Sequence, residues 1–115
     1  MKNILVIGGA GFIGSHLTEE LAKENRIIVV DNLFLGKEEN LERIKNKIKF
    51  YKQDYTNKEF IKNIITNNKI EVIYHFGGLS SAPMFDENEA EGFAVNIVGF
   101  ANLLRASLKR NYSWI

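Results

Sequence analysis

Short runs of consecutive apolar residues alternate along this chain with longer segments in which apolar residues recur every three or four positions. Continuous runs such as Ile4–Ile7 are typical of parallel strands buried on both faces, whereas the longer spacing is typical of amphipathic helices. We predict strands over 3–7, 26–31, 48–53 and 71–76, and helices over 12–24, 38–46 and 87–109. This alternation favours a parallel α/β sheet with right-handed crossovers.

A further helix is predicted between the third and fourth strands. Thr56 and Glu59 have the spacing of a capping box, in which the first residue caps the helix and the second reaches back to it. Apolar residues then recur on one face, as in an amphipathic helix that packs on a sheet.

Three glycines, Gly8, Gly11 and Gly14, lie at a spacing of three between the first predicted strand and the first predicted helix. Glycine is required where the chain turns tightly, where backbone approaches a pyrophosphate, and where a helix packs closely on a strand. The N–H groups and positive dipole end of the helix favour negative phosphates. An ordinary glycine-rich turn is the alternative. However, a strand, the glycines, a helix and a second strand ending in Asp31 occur in the order of a dinucleotide-binding turn.

Two residues narrow the class of nucleotide. Ser15 follows Gly14 where a mononucleotide phosphate loop has a lysine, which favours a dinucleotide over ATP or GTP. Asp31 ends the second strand, where an acid hydrogen-bonds the adenosine ribose. Its carboxylate would repel a 2′-phosphate, and Asn32 and Leu33 supply no arginine to neutralise one, so NAD is predicted over NADP. The predicted fold is a Rossmann-like parallel sheet of about four strands, ordered 3-2-1-4 with flanking helices and truncated before a fifth strand.

Composition excludes several classes of function. The chain has 115 residues, a net charge of +1 and no cysteine, so we expect one domain over 1–115, no nucleic-acid or membrane partner, and no disulfide or thiolate chemistry. A cytoplasmic protein is expected, since no signal segment and no apolar run of membrane-spanning length occurs. His16 and His75 have no carboxylate at ligand spacing, so no metal site is predicted. His75 is predicted to be a structural, hydrogen-bonded residue, and His16 a surface residue.

Several motifs, in order, resemble one family over nearly the whole chain. They are Gly8–Gly14, Asp31–Leu33, Asp54, His75–Gly78 and the Asn96-x-x-Gly99 step. Together they resemble the extended short-chain dehydrogenases, and among these the NAD-dependent nucleotide-sugar epimerases and dehydratases, most closely the UDP-glucose 4-epimerases. Two departures are evident. Alanines are usual in the family where Gly77 and Gly78 stand, and some epimerases have a lysine at the position of Ser80.

The resemblance implies a set of cofactor-binding residues, which lie at the carboxyl ends of the predicted strands. Phe12 and Ile13 would contact the pyrophosphate, Asp31 the ribose and Asp54 the adenine amino group, with Tyr55 packed near the ring. The full set implied is Gly8, Gly11, Phe12, Ile13, Gly14, Asp31, Asn32, Leu33, Gly36, Asp54, Tyr55, Phe76, Gly77, Gly78, Leu79, Ser80 and Asn96.

The resemblance also implies catalytic residues that are missing from these 115 residues. The family uses a Ser or Thr and a Tyr-x-x-x-Lys pair, whose lysine lowers the pKa of the tyrosine so that it acts as a base. None of the four tyrosines here is followed by lysine four positions later. We therefore expect the chain to be the NAD-binding, N-terminal part of such an enzyme, to be inactive alone, and to meet a nucleotide sugar only in a full-length context. A stand-alone dinucleotide-binding or interaction domain is the alternative.

The segment 87–109 carries more apolar residues than one helix face requires. Ile97, Phe100 and Leu104 lie in one stripe, and Val98 and Leu103 lie beyond it. Because a helix that packs only on a sheet needs a single stripe, the surplus predicts a further contact. An open edge along the fourth strand would add to it. We expect a homodimer through helix 87–109, as the resemblance also implies.

Overall fold

The computed structural model describes residues 1–78, 90, 94–107 and 113–114. The strands are β1 (Asn3–Ile7), β2 (Arg26–Asp31), β3 (Ile48–Lys52), β4 (Val72–His75) and β5 (Ser113–Trp114). The helices are α1 (Phe12–Leu21), a 3₁₀ helix (Glu38–Ile44), α2 (Lys58–Asn67), a π-helical turn (Ala94–Gly99) and α3 (Phe100–Ser107). All paired strands are parallel, in the order β3-β2-β1-β4-β5, so β1 lies at the centre of the sheet.

The predicted order 3-2-1-4 is confirmed, and the sheet extends one short strand further. Beyond β4, Val72 pairs with Ser113 and Ile73 with Trp114. The expected open edge along β4 is therefore wrong for these two residues. Within the described residues, the pairing with β5 covers Val72 and Ile73 of β4. The predicted strands 48–53 and 71–76 are correct in position and slightly too long.

Both faces of the central strands β1 and β2 are buried, which explains why Ile4–Ile7 and Ile27–Val30 are continuous apolar runs. Alternate side chains face opposite sides, so Leu5 packs in one cluster and Val6 in the other. The first cluster joins the sheet to α2 and α3: Leu5, Ile7, Ile28, Val30, Tyr55, Ile61, Ile64, Ile65, Ile70, Ile73 and Leu103. The second joins it to the 3₁₀ helix: Ile4, Val6, Ala10, Ile27, Val29, Leu41, Ile44 and Val72.

Two predicted helices end early. The first was expected over 12–24, but α1 ends at Leu21, whose carbonyl accepts a hydrogen bond from the Asn25 side-chain amide (3.0 Å). That contact and the Glu24 N–H bond to the same carbonyl (3.3 Å) close the chain into a turn ahead of β2. The segment predicted as a helix over 38–46 forms a 3₁₀ helix that ends at Ile44.

The predicted capping box at the start of α2 is also corrected. Asn57 is the capping residue, and its side chain accepts a hydrogen bond from the Phe60 N–H (3.1 Å). Thr56 does not cap the helix because its hydroxyl donates to Asp54 Oδ1 (2.8 Å). Thr56 therefore belongs to the turn after β3, and the helix begins one residue later than the capping box implies.

Within the predicted helix 87–109, residue 90 and residues 94–107 are helical, and the remaining residues lie outside the described ranges. The helix is not uniform, because a π-helical turn precedes α3. Leu103 is the apolar residue buried against the core, whereas Ile97 and Val98 are 56% and 57% exposed. The predicted stripe is therefore only partly correct: Phe100 packs against the core, but Ile97 does not, since the wider π turn shifts the residues that face the sheet. No helix in the described ranges is apolar over enough length to span a membrane.

The end of α2 contains an unusual residue for its conformation. The Ile70 N–H donates to the Ile65 carbonyl (3.2 Å) and the Lys69 N–H to the Thr66 carbonyl (3.4 Å), which is the pattern of a Schellman motif. Lys69 occupies the left-handed position of this motif, with φ of 51°. Glycine is the usual residue there because a Cβ makes this conformation costly.

Candidate functional site

The glycine-rich turn is packed tightly between β1, β2 and β4. Gly8 has φ of 78°, and its N–H donates to the Val30 carbonyl (2.8 Å). A Cβ at Gly8 would lie 2.6 Å from the carbonyl oxygen of Phe76, at the end of β4. Because both contacts are with backbone, neither neighbour can move aside cheaply. Glycine is thus required here by conformation and by space.

Helix α1 begins directly beside this turn. Gly11 is its N-terminal cap, and no side chain caps the first turn. A Cβ at Gly14 would collide with the Gly8 carbonyl oxygen, so glycine lets the helix approach the strand end. The first N–H groups of a helix have no intrahelical acceptor, and they carry the positive end of its dipole. Phe12 and Ile13, in this first turn, are exposed. The arrangement is suited to a negative group at the turn.

Asp31 connects the glycine-rich turn to the loop after β2. Its Oδ2 accepts a hydrogen bond from the Ala10 N–H (2.9 Å), and its Oδ1 accepts one from the Leu33 N–H (2.8 Å). The residue is 8% exposed. Leu33 has a positive φ of 63°, which this hydrogen bond supports. A Cβ at Gly36 would lie 2.9 Å from Oδ2, so the loop closes over the carboxylate.

The sequence did not reveal this structural role of Asp31, nor the part played by Ala10 and Asn40. The Ala10 carbonyl accepts hydrogen bonds from the Lys37 N–H (3.1 Å) and from the Asn40 side-chain amide (2.9 Å). Ala10 therefore ties the glycine-rich turn to residues that follow β2. Only its position inside the glycine motif pointed to it, and nothing in the local sequence indicated Asn40.

Asp54 and Tyr55 follow β3 and face the same edge of the sheet. Asp54 Oδ1 accepts hydrogen bonds from the N–H (2.9 Å) and the hydroxyl (2.8 Å) of Thr56. Tyr55 is buried, and its hydroxyl donates to the Val95 carbonyl. Burial, and to a smaller extent the charge of Asp54, raises the pKa of Tyr55 to about 12. Tyr55 is thus a neutral packing residue and not a base.

His75 packs between two aromatic rings. It lies 4.6 Å from the Tyr55 ring and stacks on Phe100 with centroids 5.6 Å apart and an interplanar angle of 6°. Its Nδ1 accepts a hydrogen bond from the Gly77 N–H (3.3 Å), and burial lowers its pKa. The prediction of a structural, hydrogen-bonded histidine is confirmed. His16 is exposed, as expected, and contacts the Phe12 ring edge-on. In the described ranges, no three His, Asp or Glu residues are grouped as metal ligands.

The two glycines after β4 lie against the sheet and the π-helical turn. A Cβ at Gly77 would lie 2.7 Å from Ile7 Cγ2, and one at Gly78 would lie 2.9 Å from Asn96 Oδ1. The structure thus gives a local reason for glycine where alanine is usual in the similar family. It also brings Asn96 beside Gly78, as the motif positions suggested. Leu79 and Ser80, which belong to the same predicted segment, lie outside the described residues.

A narrow cleft runs along the carboxyl ends of the strands and joins most of these elements. Several predicted site residues line it, together with apolar residues that the sequence had not suggested. The lining residues are Ile7, Gly8, Val30, Asp31, Asn32, Gln53, Asp54, Tyr55, Gly77 and Val95. A cleft outside the carboxyl ends of a parallel sheet, beside a glycine-rich turn, is the usual place for a nucleotide in this architecture.

This fold and turn define a dinucleotide-binding type of α/β domain, and the comparisons identify the family. The model of the NAD dependent epimerase/dehydratase family matches residues 4–113, so the chain belongs to that family. A relative, UDP-glucose 4-epimerase of Lactobacillus helveticus, is 34% identical over 113 residues, which are 97% of this chain and 33% of the relative.

Solved structures agree with this assignment. UDP-glucose 4-epimerase of Thermotoga maritima, solved with UDP-glucose, is 37% identical with a TM-score of 0.86, over 93% of this chain and 34% of that one. UDP-glucose 4-epimerase of Thermus thermophilus, in complex with NAD, is 34% identical with a TM-score of 0.82, over the same shares. The chain thus spans about a third of the length of the relatives it matches.

Proposed function

We propose that this chain binds NAD as the cofactor-binding part of a nucleotide-sugar epimerase or dehydratase, most like a UDP-glucose 4-epimerase. The observation that carries the proposal is the glycine-rich turn held against the Asp31 carboxylate at the carboxyl ends of β1 and β2. Family membership supports it, as does the Thermus thermophilus relative crystallised with NAD.

The residues present fit a dinucleotide at the phosphate end of the cleft. A Cβ at Gly8 would meet the Phe76 backbone, and a Cβ at Gly14 would meet the Gly8 backbone. Glycine at both positions therefore allows the turn, the end of β4 and the start of α1 to pack closely together. The pyrophosphate would lie against the first turn of α1, beside the N–H groups of Phe12 and Ile13. Oriented N–H groups and a helix dipole bind such charge without any basic side chain.

The adenosine would bind between the loops that follow β2 and β3. Asp31 would accept from the ribose hydroxyls, with Asn32, Leu33 and Gly36 around them, because its carboxylate is already oriented by two backbone N–H groups. Asp54 holds Thr56 through Oδ1, and its Oδ2 accepts no hydrogen bond from the described residues. That second oxygen would accept from the adenine amino group. Tyr55 would pack beneath the ring.

The middle and far end of the cofactor would pass along Phe76–Ser80, with Asn96 beside the loop. NAD, when bound, accepts a hydride from the sugar and returns it. No residue of this chain is proposed as a catalyst, since the Ser or Thr and the Tyr-x-x-x-Lys pair of the similar enzymes have no match in it. The purified chain is therefore expected to show no conversion of UDP-glucose to UDP-galactose.

A homodimer through the segment predicted as helix 87–109 is part of the proposal. Ile97 and Val98 are apolar and more than half exposed, and a second chain would remove this surface from water. Light scattering of the purified chain at micromolar concentration is expected to give a mass above that of a monomer. A monomeric mass at every concentration would reject the dimer and leave the NAD proposal untouched.

Calorimetric titration with NAD and NADP tests the cofactor proposal. NAD is expected to bind and NADP to bind more weakly, because the 2′-phosphate would approach the buried Asp31 carboxylate. Glu24→Gln is the control for a change of charge away from Asp31, because it removes one charge from an exposed residue at the other end of the sheet. Equal or tighter binding of NADP would contradict the assignment, and failure to bind either would reject it.

A further inference from the structure

A second and larger crevice lies at the opposite edge of the sheet, at the amino ends of the strands. Its volume is about 520 Å³, which falls within the range of small-molecule sites. Asn3 of β1, Arg26 of β2 and Ile48 of β3 line it, each at the start of its strand. The glycine-rich turn follows the other end of β1, so the crevice is separate from the proposed nucleotide site.

The crevice is lined by four cationic residues, four asparagines and four isoleucines. Arg26, Lys47, Lys49 and Lys69 all line it, and no aspartate or glutamate does among the residues that the structure describes. None of the four side chains has an ion-pair partner within the described ranges. Lys23, Arg43 and Lys45, by contrast, each pair with a glutamate. A chain of net charge +1 thus concentrates four positive charges around one concavity.

Sheet register explains how two of these charges come together. Ile28 pairs with Lys49, and Arg26 lies two residues before Ile28 on β2, so both cations belong to the same face. That face is the one covered by α2, but α2 ends at Asn67 and leaves the first residues of the strands uncovered. Asn67 and Asn46 add amide groups to the lining.

Lys69 provides a second, independent observation. It lines the crevice while occupying a left-handed conformation in which glycine is less costly. A cation at this position also interacts favourably with the last carbonyl groups of α2. That interaction explains a positive charge, but it does not explain why a residue other than glycine occupies the left-handed conformation. Glu71, a near neighbour in sequence, accepts a hydrogen bond from the Asn3 N–H (3.1 Å) and is absent from the lining. Lys69 therefore adds charge to the crevice at a conformational cost.

We propose that this crevice binds a small polyanion, such as an oligophosphate or a polycarboxylate with three or more negative charges. Four cations held around one concavity repel one another, and a multivalent anion relieves that repulsion at several points at once. Arg26 supplies a planar donor fork for two oxygens of one group, and the lysines act as point charges around it. The site is independent of the proposed nucleotide function.

Amide-resolved NMR with the ¹⁵N-labelled chain tests the site, using pyrophosphate, inorganic phosphate and citrate in metal-free buffer at fixed ionic strength. Pyrophosphate is expected to bind saturably and about tenfold tighter than inorganic phosphate, because more charges are neutralised together. The shifts are expected at Asn46, Lys47, Lys49 and Lys69. Comparable binding of citrate supports a general polyanion site, and weak binding of citrate supports an oligophosphate site.

Charge-matched variants provide the control. Arg26→Gln with Lys49→Gln is expected to weaken pyrophosphate binding by about tenfold or more, whereas Lys23→Gln with Lys45→Gln removes the same charge elsewhere and is expected to change it less than about twofold. Lys69→Gly is expected to weaken binding while making the chain more resistant to unfolding, so its effect cannot come from a damaged fold. The proposal is overturned by shifts confined to Gly8–Gly14, by equal losses in both double variants, or by the absence of saturation.

Discussion

Removal of the Asp31 carboxylate is expected to destabilise the chain even without any nucleotide. Asp31→Ala deletes the acceptors for the Ala10 and Leu33 N–H groups. The hydrogen bond from Ala10 is buried, and the one from Leu33 is partly buried. Hydrogen bonds to a charged group contribute about 1.5–3 kcal/mol each, less the cost of burying the charge, so we expect a loss of about 2–4 kcal/mol. That is a large part of the stability of a domain of this size.

Urea unfolding of the chain in the absence of nucleotide measures this loss. Asp31→Asn keeps the shape but offers one acceptor oxygen and turns an NH₂ group toward the other N–H donor, so it should also destabilise. Glu24→Gln removes a side-chain charge that makes no hydrogen bond in the described structure, and it should change the free energy of unfolding by less than about 0.5 kcal/mol. If Asp31→Ala changed it no more than this control, the carboxylate would not hold the two loops.

The effect on nucleotide binding can then be separated from the effect on folding. At temperatures where each variant is folded, Asp31→Ala is expected to weaken NAD binding by about 1–3 kcal/mol, because the ribose hydroxyls lose their acceptor. Calorimetry under those conditions gives the difference directly. A variant that is destabilised yet binds NAD like the parent would assign Asp31 to the architecture alone.

Three further changes have distinct expected outcomes. Gly14→Ala should lower the free energy of unfolding in urea by about 2 kcal/mol or more, because the new Cβ meets the Gly8 backbone. Gly78→Ala should lower it by less than about 1 kcal/mol, because its Cβ meets only the side-chain amide of Asn96. Equal losses in the two variants would contradict this packing. Lys69→Gly should stabilise the folded chain by about 1 kcal/mol and raise its Tm by a few degrees, because glycine adopts the left-handed conformation at little cost. A lower Tm would contradict the left-handed conformation of residue 69. Burial lowers the pKa of His75 below 6.5, so the unfolded chain binds its proton more readily. Stability should therefore fall as pH drops below about 6.5, and His75→Phe should reduce that fall; an unchanged pH profile would remove His75 as its cause.

The sheet could be predicted because its information is local to each strand. Runs such as Ile4–Ile7 have no polar face, and that pattern has few solutions other than a strand buried on both sides. Helix ends were less accurate because they depend on competition between neighbouring side chains. Thr56 and Asn57 are both able to cap α2, and only the hydrogen bond from Thr56 to Asp54 decides between them.

The placement of the candidate site residues at one edge of the sheet was predictable, and the contacts among them were less so. Gly8 and Asp54 follow strands whose order was correctly expected, and Asp31 ends one of them, so their shared edge followed from topology. The contact of Asp31 with Ala10 and that of the Ala10 carbonyl with Asn40 join segments distant in sequence, and no local spacing encodes them. The π-helical turn was missed for a related reason, since a regular spacing of apolar residues assumes a uniform helix.

The position of Phe76 over Gly8 has a consequence for the order in which the chain folds. The glycine motif is made early during synthesis, but its turn is closed by the Phe76 carbonyl just after β4, much later in the sequence. The Phe76 N–H bond to the Ile7 carbonyl (2.8 Å) forms only when that segment arrives. Such non-local pairing is slow relative to helix formation. A nascent chain that lacks β4 would therefore carry the complete glycine motif without a cradle for a nucleotide.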